Sequence, residues 1–158
     1  MEHARPARPD DLPTVAQLLA AQHDDLAPQR GGDLWTATHP PAPVGELAAM
    51  LDDPAAVVLC GTWCDVVVGT LTARLVEVPG IGPVATIDDL YVEHDAREVG
   101  VGAALMDALR TWAREAGCVG IDATVLPGAR ATKNFFEANR MVARAITVHH
   151  RFDDEAPR

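Results

Sequence analysis

The stretch from Thr86 to Glu115 constrains this chain more than any other, because its hydrophobic period changes in mid-course. Thr86 to Glu93 is β-branched and aromatic with two adjacent aspartates, Asp88 and Asp89, inside it, and predicts a strand. From about Gly100 to Glu115 the apolar residues fall at Val101, Ala104, Leu105, Ala108, Leu109, Trp112 and Ala113. That spacing predicts a helix with one buried face. Between the two lies Arg97-Glu98-Val99-Gly100-Val101-Gly102. The first N–H groups of a helix have no intrahelical partner, and the dipole places partial positive charge there. Glycine removes the Cβ that would hold a phosphate away from those donors. Strand, glycine loop and helix together make an anion site suited to a pyrophosphate. Arg97 adds a planar, permanently charged donor. The alternative is a strand–helix connection that uses glycine only to turn. Neither a G-x-G-x-x-G dinucleotide fingerprint nor a Walker A loop is present, since Ala103 follows the second glycine and no Gly-Lys-Ser/Thr occurs.

Read along its length, the chain predicts a single domain. At 158 residues it is long enough for a proper core, and 48% apolar with 23% charged residues is ordinary for a globular protein. No run approaches the ~18 apolar residues of a membrane helix. The N-terminal MEHARPARPDD carries no hydrophobic leader, so the expectation is a cytoplasmic protein with no membrane partner. A net charge of −10 argues against nucleic acid as a partner and fits a cationic acceptor such as an amine better than a polyanion. Cys60, Cys64 and Cys118 are an odd set with no C-x-x-C pair, and read as thiols rather than a disulfide framework. No metal signature appears. His149 and His150 are adjacent, and neighbours on a strand face opposite ways.

The expected elements follow from local patterning. A short first strand spans residues 2 to 8, limited by Pro6 and Pro9. A helix covers 11 to 22, with Asp10 and Asp11 capping it and Pro13 in its first turn. His23 to Val44, interrupted by Gly31, Gly32, Pro40, Pro41 and Pro43, reads as irregular. So long a connection is either a functional wall or a solvated loop. Gly45 to Asp52 is a second helix. Strands follow at Ala55–Trp63, Val66–Val78 and Val84–Glu93, forming an antiparallel meander with a Pro79–Pro83 hairpin loop. Val119–Leu126 is a buried strand parallel to its neighbour across the helix. Ala129–Asn139 is a further helix, Val142–Phe152 a last strand, and 153 to 158 a polar tail.

The pattern L-Y-V followed by R-x-x-G-x-G resembles motif A of the GNAT superfamily, the acetyl-coenzyme A-dependent N-acetyltransferases. The order β-α-α-β-β-β-α-β-α-β matches that fold: an α/β (α+β) domain, its mixed and mostly antiparallel sheet flanked by about four helices. The resemblance is specific over 84 to 112 and only topological before residue 55. It implies that the central strand diverges from the next, and that acetyl-CoA, the co-substrate, lies in the opening. The backbone of Leu90 and Val92, with Tyr91 between them, would bind pantetheine. Arg97, Glu98 and the amides of Val99, Gly100, Val101, Gly102 and Ala103 would surround the pyrophosphate. The N–H near Leu90 would stabilise the thioester oxygen as charge develops on it. A carboxylate would take the amine proton, directly or through water. Asp88 is the candidate, standing where polyamine acetyltransferases of this family carry glutamate. Asp88 and Asp89 face opposite sides unless a bulge intervenes, and both also suit a plain role as half-exposed strand residues. Asp24, Asp25, Trp35 and His39 are candidate acceptor contacts.

Three residues depart from the family pattern. Phe136 occupies the place of a tyrosine that can protonate the departing thiolate. Glu98 and Arg140 stand where glycine is usual. Phe136 and Glu98 motivate an alternative, a non-catalytic CoA-binding module with a sensor or assembly role. A longer acyl donor is a third reading. The acceptor stays open among a small-molecule amine, an antibiotic, a polyamine and a protein N-terminus, and the net charge of −10 tilts the expectation toward a small cationic amine; no metal is expected, and the resemblance leaves a homodimer open.

Overall fold

The computed structural model describes residues 1–152. The strands are β1 (Glu2–Pro6), β2 (Ala56–Trp63), β3 (Val66–Val78), β4 (Gly82–Val92) and β5 (Gly120–Ala123). They lie in that order in one sheet. β1 to β4 pair antiparallel, and β5 joins β4 in parallel. The helices are α1 (Leu12–Leu26), α2 (Gly32–Thr38), α3 (Val44–Asp52), α4 (Val101–Glu115) and α5 (Arg130–Ala138). The sheet separates two cores, because side chains along its strands alternate between its two faces. Leu59, Leu71, Ala73 and Ile87 meet Val101, Leu105, Met106 and Leu109 of α4 and Phe136 of α5. Val58 and Cys60, pointing the other way, meet Leu12, Val15, Leu19, Leu47 and Met50 of α1 and α3. No helix among the described residues is long and apolar enough to cross a membrane.

The expected α/β architecture and mostly antiparallel sheet are found, with five helices in place of about four. The extra one is α2, in a segment expected to be irregular. Gly31 and Gly32 create this helix. Gly31 is its N-cap at φ 78°, and a Cβ on Gly32 would lie 1.9 Å from the carbonyl oxygen of Leu26. The pair lets α2 close against the end of α1, which runs four residues beyond its expected stop at 22.

Asp11 does not cap α1 with its side chain. It accepts instead from both terminal nitrogens of Arg5, at 2.6 and 2.9 Å, and from the Arg8 N–H at 2.7 Å. It thereby ties β1 to the corner before α1.

The last expected strand, Val142–Phe152, does not form. Residues 142 to 151 carry no regular element, and Val142, Ile146, Val148 and Phe152 are almost fully exposed. Among the described residues the sheet edge that this segment reaches, through Arg144, is that of β5, four residues long. An alternating pattern makes a strand only where an edge pairs with it and a layer covers one face. Arg144 is nevertheless tied to Asp122 of β5 and Arg151 to Asp33 of α2. The expected polar tail, 153 to 158, lies outside the described residues.

Candidate active site

The two aspartates of β4 are brought together by one surplus residue. Along β3 and β4, Thr72 faces Asp89 and Ala73 faces Ile87, so Asp88 has no partner. This is a β-bulge, two residues against one. Ile87, Leu90 and Val92 therefore contribute to the core under α4, while Asp88 and Asp89 both line one cleft on the other side. The opposite-facing arrangement expected of adjacent strand residues is overturned by that bulge.

Asp88 accepts from Arg74 Nε at 2.9 Å, and Arg74 Nη2 also donates to Glu46 at 2.8 Å. Asp89 accepts from the hydroxyl of Thr72 at 2.9 Å, and that threonine is buried. Burial pushes both carboxyls above the usual carboxylate range. Arg74 opposes the shift at Asp88, and Thr72 opposes it at Asp89, where the charge of Asp88 adds to it. The remaining walls come from Leu19, Gln22, His23 and Leu26 of α1, from Trp35 and Thr36 of α2, and from His39 and Pro41. The rings of Trp35 and His39 stack 3.6 Å apart at 12°. The cleft measures about 20 Å³, room for one water-sized group beside polar partners.

β4 and β5 part at the same level. Their pairing runs from Val84↔Gly120 to Ile87↔Ala123 and goes no further, although β4 continues to Val92. The Glu93 N–H donates to Val68 of β3. By alternation Tyr91 and Asp89 also turn their backbone toward β3, which leaves Leu90 and Val92 facing the gap. The carbonyl of Val92 is held there by Arg97 Nε at 3.0 Å.

The gap leads to the start of α4. Gly100 is the N-cap at φ 90°, and no side chain caps the helix. The amides of its first turn, Val101, Gly102 and Ala103, are therefore left without side-chain partners, just beyond Val99. Two neighbours frame this mouth. A Cβ on Gly100 would meet Glu2 Cγ at 3.2 Å, and one on Gly102 would meet the Phe135 ring at 3.1 Å. Phe136, expected beside the cofactor, is buried in the core with Leu105 and Leu109. Its neighbour Phe135 is the ring that reaches the glycine. Glu98 and Arg140 adopt φ 70° and 63°, the left-handed region that explains why glycine suits both positions.

Asp25 was expected at the acceptor site and is found in another role. Its carboxylate gathers His94 Nε2 at 2.8 Å, the Tyr91 hydroxyl at 3.3 Å and Arg97 Nη2 at 3.5 Å. Arg97 also lies 5.6 Å from the centre of the Tyr91 ring. α1 is thus clamped to the loop before α4. Asp24 is exposed to solvent, while Trp35 and His39 do line the cleft. Sequence reasoning missed Gln22, Thr72 and Arg74. Thr72 and Arg74 take their roles from the register of β3 against β4, and no local pattern marks that register.

The open edge and the uncapped glycine turn fit acetyl-CoA: backbone donors for pantetheine on one side, amides and Arg97 for phosphates on the other. Among the described residues no group of three or more His, Cys, Asp or Glu side chains is placed to hold a metal.

The family model described as Acetyltransferase (GNAT) family matches residues 19–140. No curated protein matches the sequence. Solved structures do. A tetramutant of the BH1408 protein from Bacillus halodurans has TM-score 0.82 at 19% identity, covering 94% of this chain and 99% of that one. The ribosomal-protein-alanine N-acetyltransferase from Brucella melitensis biovar Abortus 2308 has TM-score 0.70 at 20% identity, covering 96% and 99%. AAC(6')-Iy in complex with the bisubstrate analog CoA-S-monomethyl-acetylneamine has TM-score 0.71 at 17% identity, covering 96% and 97%. At these identities the likeness is one of fold.

Proposed function

The chain belongs to the GNAT acetyltransferase family, and on that premise we propose that it moves an acetyl group from acetyl-CoA to a primary amine in one step, with both substrates bound. The observation that carries this reading is a convergence. β4 and β5 separate after Ile87, the bulged Asp88 stands at the separation, and the uncapped turn of α4 lies beyond it.

Acetyl-CoA supplies an activated acyl carbon and a thiolate leaving group. The chain does the rest. The amides of Val99, Gly100, Val101, Gly102 and Ala103, with Arg97, hold the pyrophosphate. Glu98 turns outward to water, because a carboxylate facing the phosphates would repel them. The backbone of Leu90 and Val92, with Tyr91 between, holds the pantetheine arm as an added strand would be held. The Leu90 N–H stabilises negative charge where it develops on the thioester oxygen. Asp88 removes the amine proton through the single water that the cleft accommodates, since a protonated amine has no lone pair with which to attack. Phe136 has no proton to give, and the Tyr91 hydroxyl is engaged by Asp25. The departing thiolate therefore takes its proton from solvent. The acceptor is a small-molecule amine, in a cytoplasmic setting.

The test has two parts. Acetyl-CoA raises the melting temperature, and Gly100→Glu, which places a carboxylate on the phosphate cradle at a left-handed position, removes the rise. Wild-type protein then releases thiol from acetyl-CoA in the presence of primary amines. No thermal shift at millimolar acetyl-CoA overturns the binding. A shift with no thiol release across a panel of amines overturns the catalysis and favours a CoA-binding module.

A further inference from the structure

The guanidinium nearest the phosphate turn is already engaged. Arg97 Nε donates to the carbonyl of Val92 at 3.0 Å, and Nη2 stands 3.5 Å from the carboxylate of Asp25. The same group lies over the Tyr91 ring, 5.6 Å from its centre. The carbonyl it covers is one that the parting of β4 from β5 leaves without a strand partner. β5 pairs no further than Ile87, and the Glu93 N–H turns back to Val68 of β3. Arg97 thus fills, from within the chain, an acceptor that an added strand would use. Asp25 does not depend on Arg97. The same carboxylate takes His94 Nε2 at 2.8 Å and the Tyr91 hydroxyl at 3.3 Å, and both partners remain if the guanidinium leaves. Nor is the hold strong. The side chains of Arg97 and Asp25 are 44% and 39% exposed, and an ion pair so open to water contributes little.

We propose that Arg97 is a gate on the β4 edge, latched by Asp25, and that the phosphates of the coenzyme open it. The inference rests on the acetyltransferase reading and concerns which acyl donors that site accepts. At rest the guanidinium covers the Val92 carbonyl, so a pantetheine amide finds that acceptor taken. A pyrophosphate at the first turn of α4 offers several charged oxygens, which a guanidinium meets with two parallel hydrogen bonds. One exposed carboxylate and one neutral carbonyl do not match that. Arg97 turns to the phosphates, Asp25 keeps His94 and Tyr91, and the freed Val92 carbonyl accepts from the pantetheine amide. The head of the coenzyme thereby clears the edge that its own arm then occupies. A thioester without phosphates has to displace Arg97 with a neutral amide, and gains only an exchange of one hydrogen bond for another. Arg97 is on this account a specificity residue for phosphate-bearing acyl donors. Asp25, which touches neither acyl group nor phosphate, is a positioning residue that acts through it.

Acetyl-CoA and S-acetylpantetheine share the acyl arm and differ in the phosphates and nucleoside. Both are titrated by calorimetry into the wild type and its variants. Arg97→Ala moves them in opposite directions. Acetyl-CoA weakens about tenfold or more, through loss of a charged phosphate contact, while S-acetylpantetheine tightens several-fold because the Val92 carbonyl is uncovered. Asp25→Asn tightens acetyl-CoA several-fold, and the gain vanishes once Arg97→Ala is added, since the latch acts only through the guanidinium. A thermal melt shows that each variant is folded, and Arg97→Met, of similar length and without donors, decides the matter should Arg97→Ala not fold. Weakening of both ligands by Arg97→Ala, or no change in S-acetylpantetheine, overturns the gate. A gain in Asp25→Asn that persists without Arg97 is plain relief of charge repulsion and overturns the latch. Acetyl-CoA binding with neither response sinks this proposal alone, whereas no acetyl-CoA binding by the wild type sinks the acetyltransferase reading itself.

Discussion

Glu98 carries a side chain where the backbone favours none. Its φ of 70°, and that of 63° at Arg140, cost roughly 1–2 kcal/mol each for a residue with a Cβ. Glycine gives back part of that gain through the entropy of the unfolded chain. Glu98→Gly and Arg140→Gly are each expected to stabilise the protein by about 0.5–1 kcal/mol, seen as a rise in melting temperature. Glu98→Gly alone also tightens acetyl-CoA, because it removes a carboxylate from the phosphate loop. At Asp88 burial outweighs Arg74 and lifts the carboxyl above its usual range. Below its raised value Asp88 carries a proton and cannot accept another. Activity should fall as pH drops through a point above the ordinary carboxylate value, and Asp88→Asn should lower kcat by about 100-fold and flatten that acid limb. A pH–rate profile of both proteins checks this. At residue level the strand, glycine turn and helix that carry the candidates on β4 and in the loop were legible because they are adjacent in sequence. Asp25 was not, since the partners that fix its role lie on a distant loop. Phe136 was placed by its match to the family's tyrosine position, and that match does not tell that its ring packs in the core while Phe135 reaches Gly102.

The first turn of α4 is placed by what β2 leaves out. A Cβ on Gly61 would stand 2.5 Å from Val101 Cγ1 and 3.0 Å from Leu105 Cδ1. Gly61→Ala should therefore push the start of α4 off the sheet. It should cost about 1–3 kcal/mol by overpacking and weaken acetyl-CoA, as denaturant unfolding and calorimetry would show. The β1–α1 corner has its own signature. Arg5 holds the Asp11 carboxyl near 2, below its ordinary value of 3.8. The stabilisation is complete above that ordinary value and is lost as pH falls from there toward 2. It amounts to about 2 kcal/mol, and acid unfolding of Asp11→Asn should begin from lower stability and lack that slope. The elements themselves were legible wherever period and punctuation agreed, as in α4 and in β2 to β4. They were misread where glycine does packing rather than breaking, at Gly31 and Gly32. They were also misread where alternation has no partner edge, from Val142 to Phe152.

Across the whole molecule, one sheet carries an apolar core on each face, and the cysteines report on it. Cys60 is sealed between β2 and the α1–α3 layer, and burial, reinforced by the Asp11 charge, pushes its thiol up to about 12. Cys64 is exposed and Cys118 intermediate. A thiolate reagent should label Cys64 fast, Cys118 slowly and Cys60 only on unfolding, so the third equivalent counts global opening by mass spectrometry. The family and the layout of the sheet could be read from one chain, because the hydrophobic period is a property of neighbours in sequence. The cleft could not, because its walls come from α1, from α2 and from a register between β3 and β4. The bulge at Asp88 adds a consequence for descent. On a regular strand no point substitution sets two neighbouring acids on one side, since every replacement keeps its parity. Only gaining or losing a residue changes it, so a lineage would acquire or discard this pocket through a single-codon insertion or deletion, in one step and without intermediates.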